Sequence, residues 1–224
     1  DIMAVMIPLL CVSRFQLILA VGMAVFTYIS MTGSFSLIYV GVLLVALIPA
    51  YVALTVLRSH SVEYLNGIFE MKNSHMPIFI TQPYMYIANN YSNFNCLTQA
   101  LQQGLVEHTF GLKQLFPVFA LTGLKFVFPA LVAFEMPVTI KELNTLTLIY
   151  DAYYDFGLIG VFLFGLILGA VCAALTQKIR KNSNPILYLF YAQLALYLAL
   201  SFFSSWFTVP TTWFWFALTG ALYL

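Results

Sequence analysis

Residues 156–176 read FGLIGVFLFGLILGAVCAALT. No charge interrupts this run, an acid stands directly before it (Asp155), and three basic residues follow closely (Lys178, Arg180, Lys181). About 20 mostly apolar residues suffice to carry a helix across the ~30 Å hydrocarbon core of a bilayer. The run lacks the polar–apolar alternation of a membrane barrel strand. That leaves the helix, which satisfies every backbone polar group within its own segment. The stretch predicts an all-α chain embedded in a membrane.

Working outward, three further segments share this character: 15–31, 36–57 and 185–207. Apolar runs at 2–12 and 211–224 read as partial spans, so the chain reads as a piece of a longer membrane protein, with about five to six transmembrane helices here. Composition agrees. The 224 residues are 62% hydrophobic and only 8% charged, whereas soluble domains are roughly 45–50% apolar and about 25% charged. So few charges cannot cover a water-facing surface of this size. A net charge of +1 with no basic stripe argues against nucleic-acid binding. The three cysteines (Cys11, Cys96, Cys172) stand far apart and suggest neither a disulfide framework nor a metal site. No phosphate-cradling G-x-x-x-x-G-K-[ST] loop or dinucleotide fingerprint occurs.

Residues 58–154 differ in texture. They hold most of the acidic residues, the three histidines (His60, His75, His108) and the run Asn89 to Asn95, punctuated by Pro77, Pro83, Pro117, Pro129 and Pro137. The chain therefore divides into spanning helices at 1–57, a long polar loop at 58–154, and spanning helices again at 155–224. The cluster Lys178, Arg180 and Lys181 marks the cytoplasmic side, which places the loop outside and brings Arg14 and Arg58 to the same outer face. Leu115 to Phe134 is apolar enough to span, but Lys125 near its centre costs ~2.5–3.5 kcal/mol there. With Gly123 and Pro129 also interrupting it, this segment reads as re-entrant or interfacial.

Few residues can carry chemistry. Arg14 and Arg58 are two of three arginines and sit where positive charge is disfavoured. Their planar forks suit phosphate oxygens, although an arginine at a helix end also anchors to head groups. Asp151 and Asp155 are four apart and share a helix face; the plainest role for Asp155 is capping the following span. Gly157, Gly160, Gly165 and Gly169 read as close helix packing, and Trp206, Trp213 and Trp215 as an interfacial belt.

The order of these features resembles the Wzy-type oligosaccharide repeat unit polymerases of O-antigen, capsule and exopolysaccharide assembly, over the C-terminal half of such an enzyme. Ser13-Arg14 at a helix start, Arg58 at the end of a later span, and the stretch from Pro83 through Asn95 are similar to theirs. So are His108-Thr109-Phe110, where Glu107-His108 replaces the usual glycine, and Asn144-Thr145-Leu146-Thr147, like their Asn-x-x-Thr. The most specific block is Tyr153-Tyr154-Asp155-Phe156-Gly157-Leu158-Ile159-Gly160, like their aromatic-Asp-Phe-Gly-x-x-Gly entry into a span.

The resemblance implies a multi-pass enzyme of the bacterial plasma membrane that needs no metal or cofactor. It would transfer a glycan, with inversion, from undecaprenyl diphosphate to a hydroxyl of a lipid-linked repeat unit on the outer face. Arg14, Arg58, Asn144, Thr147 and Tyr154 are then the expected substrate-binding residues, and His108, Glu107 and Asp155 stand unranked as candidates for catalysis. Lipid-linked oligosaccharide, membrane lipid, a flippase and a chain-length regulator are the expected partners. A lipid-linked oligosaccharide flippase and an O-antigen ligase remain the competing readings.

Overall fold

The computed structural model describes residues 14–34, isolated positions between 36 and 53, and residues 62–224 apart from 74 and 183. Among the described residues every regular element is helical: α1 (Arg14–Thr32), α2 (Val62–Ile68), α3 (Ile78–Gln102), α4 (Phe116–Leu121), α5 (Leu124–Val127), a 3-10 turn (Pro129–Val132), α6 (Tyr150–Lys181), α7 (Pro185–Ala199), a second 3-10 turn (Trp206–Thr208) and α8 (Pro210–Tyr223). The chain forms two compact units, Asp1–Met85 and Tyr86–Leu224. The segment expected to span at 36–57 lies almost wholly outside the described residues. Within the first unit, Asn66 Nδ2 donates to the Met76 carbonyl at 2.9 Å and closes the turn ahead of α3.

The Asn-rich stretch of 58–154 is helical, because 89–95 lies well inside a 25-residue helix that also contains Pro83. Asparagine is a poor helix former when its amide competes for local backbone groups. Here the amides are engaged elsewhere. Asn89 Nδ2 donates to Leu143 O at 2.7 Å, and Asn93 Nδ2 to Leu143 O at 2.8 Å and Thr145 O at 3.0 Å. Thr139 Oγ1 donates back to Asn89 Oδ1 at 2.6 Å and to Asn93 Oδ1 at 3.0 Å. Asn90 Nδ2 donates to Phe202 O. Three buried amides thus lash two irregular segments to one helix.

The second unit is built around Leu97, Leu146, Tyr150 and Tyr154. Both tyrosines place their rings in the core while their hydroxyls reach backbone carbonyls, Tyr150 to Pro137 at 3.2 Å and Tyr154 to Glu135 at 3.1 Å. Buried phenols need such partners.

Among the described residues one helix, α6, is long and apolar enough to cross a membrane, and little of its apolar stretch is buried. Leu158, Ile159, Phe162 and Ile167 are 61–78% exposed. Of the five or six spans expected, α1 and α7 are shorter apolar helices. The expected span 185–207 stops at Ala199. At 1.5 Å per residue its 15 residues cover roughly 22 Å, and the chain then turns through Ser201–Ser205, with Trp206 buried and its Nε1 donating to Leu200 O at 2.8 Å. Trp206 is therefore a core residue, whereas Trp213 and Trp215 are about half exposed. The segment 115–134 forms no continuous helix. Gly123 (φ 76°) and Pro129 cut it into α4, α5 and a 3-10 turn.

Candidate functional site: a broken helix clasped by a loop

α6 is not one rod. Phe156 (φ −140°, ψ 19°) and Gly157 (φ 60°, ψ −143°) leave helical geometry, so a stub at 150–155 is followed by a long helix from Leu158. Two glycines permit this. The dihedrals of Gly157 lie close to a region open essentially to glycine alone. A methyl on Gly160 would overlap the Ala152 carbonyl oxygen and lie 3.0 Å from Phe156 Cβ. Gly165 and Gly169 have nothing within 4 Å of such a methyl, Gly157 faces the His108 ring and Gly160 its own stub, so among the described residues none of the four glycines shows the helix-to-helix packing expected of them.

The break releases the carbonyls of Tyr154 and Asp155, which an unbroken helix would pair with N–H groups four residues on. The loop 108–110 takes them instead. Tyr154 O accepts from Thr109 N–H at 3.3 Å and lies 2.9 Å from His108 Nδ1, and Asp155 O accepts from Phe110 N–H at 3.3 Å. A carbonyl can only accept, so Nδ1 carries the proton of a neutral His108 and Nε2 keeps its lone pair. His108 is exposed as a residue, and the Cε1–Nε2 edge of its ring lies beside Gly157. Beside it, Phe110 holds a left-handed conformation (φ 48°) with 76% of its surface exposed. A strained, outward-facing aromatic is a pointer to function rather than to packing.

Asp155 is fully buried. Its Oδ1 accepts from the Thr109 hydroxyl and from Lys113 N–H at 3.1 Å, and its Oδ2 from Gln114 N–H at 2.9 Å. Asp155 does cap backbone N–H groups, but those of a turn 41–42 residues earlier and not of its own helix. With both oxygens engaged, it is an anchor for the loop. Asp151, one turn earlier, faces the other end of the same lysine. Lys113 Nζ lies 3.9 Å from Asp151 Oδ1, with the Phe134 and Tyr154 ring centroids at 5.0 and 5.2 Å. Asp151 Oδ2 accepts from the Thr208 hydroxyl at 2.6 Å. Burial pushes the Lys113 ammonium below the usual lysine range, and the Asp151 and Asp155 carboxylates partly oppose this.

Of the sequence-predicted residues, His108 and Asp155 come together at this clasp, and Glu107 is exposed next to them. Tyr154 is buried and supports the clasp through its backbone. Thr147 is buried and Asn144 exposed. Arg58 lies outside the described residues; Arg14 opens α1, and its side chain is not described. Sequence reasoning missed Lys113, Gln114 and Thr208 altogether. A signal existed for Lys113, because in a chain with eight acids, two carboxylates on one helix face call for a cation. Among the described residues no group of three or more His, Cys, Asp or Glu side chains could hold a metal.

Comparison of the chain with family models, with curated proteins and with solved structures finds no match.

Proposed function

We propose that this chain is part of a multi-pass glycosyltransferase of the bacterial plasma membrane, a polymerase that moves a growing glycan from undecaprenyl diphosphate to a hydroxyl of a lipid-linked repeat unit. The observation that carries the reading is His108. Two blocks singled out by the resemblance, 46 residues apart, meet at the 2.9 Å contact from His108 Nδ1 to Tyr154 O. That contact leaves the other imidazole nitrogen with a lone pair to accept a proton.

In this mechanism His108 Nε2 takes the proton of the acceptor hydroxyl as its oxygen attacks the anomeric carbon from the face opposite the diphosphate. The new C–O bond forms as the sugar–phosphate bond breaks, and undecaprenyl diphosphate leaves with the electron pair. Arg14 and Arg58 are proposed to stabilise the charge growing on that leaving group, an interaction stronger in the transition state than in the ground state. Membrane placement is supported by the apolar surface of α6. Leaving that surface in water would cost about 25 cal/mol per Å².

The test is elongation of lipid-linked repeats by the full-length protein. A positioned base contributes about 100–10,000-fold in rate, so His108→Ala should cut elongation by that order, while losing its one contact to Tyr154 O should lower stability by only about 0.5–1.5 kcal/mol in thermal unfolding. Arg58→Lys should also shorten the product, because lysine cannot form the bidentate fork. Full-length polymer from the His108→Ala protein would end this reading.

A further inference from the structure

Beside the clasp lies a cavity of about 280 Å³ that the mechanism above does not use. Phe116, Phe134 and Leu146 contribute apolar wall, and Lys113, Asp151 and Thr208 contribute the polar part. We propose that this cavity binds one neutral, polyhydroxylated ring, a single sugar unit of the lipid-linked substrate. The identity of the ligand as a sugar unit of that substrate rests on the function proposed above; the chemistry of the pocket is argued from its own residues.

Size comes first. Sites for drug-sized ligands are roughly 300–1,000 Å³, so 280 Å³ suits one ring and not a chain of them. Charge comes second. Among the described residues Lys113 is the sole cation lining the cavity, and it is opposed by Asp151 in the wall and by Asp155 at its own backbone N–H. An anion entering here would meet Asp151 and is disfavoured. Hydrogen bonding comes third. The 3.9 Å between Nζ and Oδ1 exceeds hydrogen-bond length. Two neighbouring hydroxyls of a ring seated in the cavity can bridge the pair, one accepting from the ammonium and the other donating to the carboxylate. The Phe116 and Phe134 side chains offer apolar surface to the C–H face of such a ring.

The test measures binding directly, on the full-length protein in lipid nanodiscs, with a panel of neutral methyl glycosides as probes. At least one should bind saturably. Its affinity should fall tenfold or more in Asp151→Asn and in Val132→Phe, which fills the cavity from its wall, and should be unchanged in Gly165→Ala, where nothing lies within 4 Å of the added methyl. Should Val132→Phe fail to fold by thermal unfolding, Met136→Trp at the exposed rim takes its place. The proposal is overturned if no glycoside binds, if cavity filling leaves affinity unchanged, or if inorganic phosphate binds in preference to every glycoside. Elongation by the His108 variant tests the polymerase reading separately, so the two can fail independently.

Discussion

Replacing Gly160 by alanine is the sharpest probe of the broken helix. The added methyl would coincide with the Ala152 carbonyl oxygen, and Phe156 Cβ would stand 3.0 Å away. Neither is the tip of a flexible side chain, so no rotamer change relieves the overlap and the break itself must move. Overpacking of this kind costs about 1–3 kcal/mol. Moving the break also endangers the three bonds that Tyr154 O and Asp155 O accept from residues 108–110. At about 0.5–1.5 kcal/mol each, net, their complete loss adds roughly 1.5–4.5 kcal/mol, and partial loss brings the expected total to about 2–4 kcal/mol. Gly165→Ala is the matched control, because nothing lies within 4 Å of its methyl. It should be neutral or stabilising by up to ~1 kcal/mol through helix propensity. Equilibrium unfolding of both variants in the same detergent, followed by the alkylation rate of His108, reads the two effects. Equal stabilities and equal alkylation rates for the two variants would show that the break is not held as described.

Three further outcomes are expected. Asp155→Asn turns an amide N–H toward one of the donors now held by the carboxylate; a destabilisation of about 1.5–3 kcal/mol by thermal or chemical unfolding is expected, the range for hydrogen bonds to charged groups. Lys113→Met leaves Asp151 buried without its cation and should cost about 3–5 kcal/mol, most of it restored in Lys113→Met/Asp151→Asn. Because the folded-state value for Lys113 lies below that of the unfolded chain, the unfolded chain binds more protons between the two. Wild-type stability from this group therefore rises with pH up to the free-lysine value of about 10.4, a rise that unfolding curves of Lys113→Met should lack. Asn93→Ala strips two carbonyls of a donor and Thr139 of an acceptor, and should lower stability by about 2–4 kcal/mol in the same assay.

What could be read from residues alone follows the range of the forces involved. The long helix of α6 was legible because hydropathy is a local property, and Gly123 and Pro129 marked 115–134 as interrupted for the same reason. That the Asn-rich run is helical was not legible, because its composition speaks of turns, while the partners that engage its amides, Leu143 and Thr145, lie about 50 residues away. The segment 185–207 was read too long, since hydropathy does not see that Thr208 is drawn off to Asp151. At the site, the spacing of Asp151 and Asp155 revealed a shared face but not what it grips. Asp155 takes hold of the loop mainly through backbone N–H groups, which carry no mark of residue type.

The corner at Phe156–Gly157 also works as a depth gauge. Where the rod of α6 begins, the stub is locked to the 108–114 loop, so the rod alone sets how far His108 stands from the opposite end at Lys181. Each residue inserted beyond Gly160 would lengthen the rod by 1.5 Å and swing its exposed apolar flank by about 100° relative to the stub. Under the proposed function, the length of this plain hydrophobic stem would set the depth at which the crown of the helix sits in a bilayer.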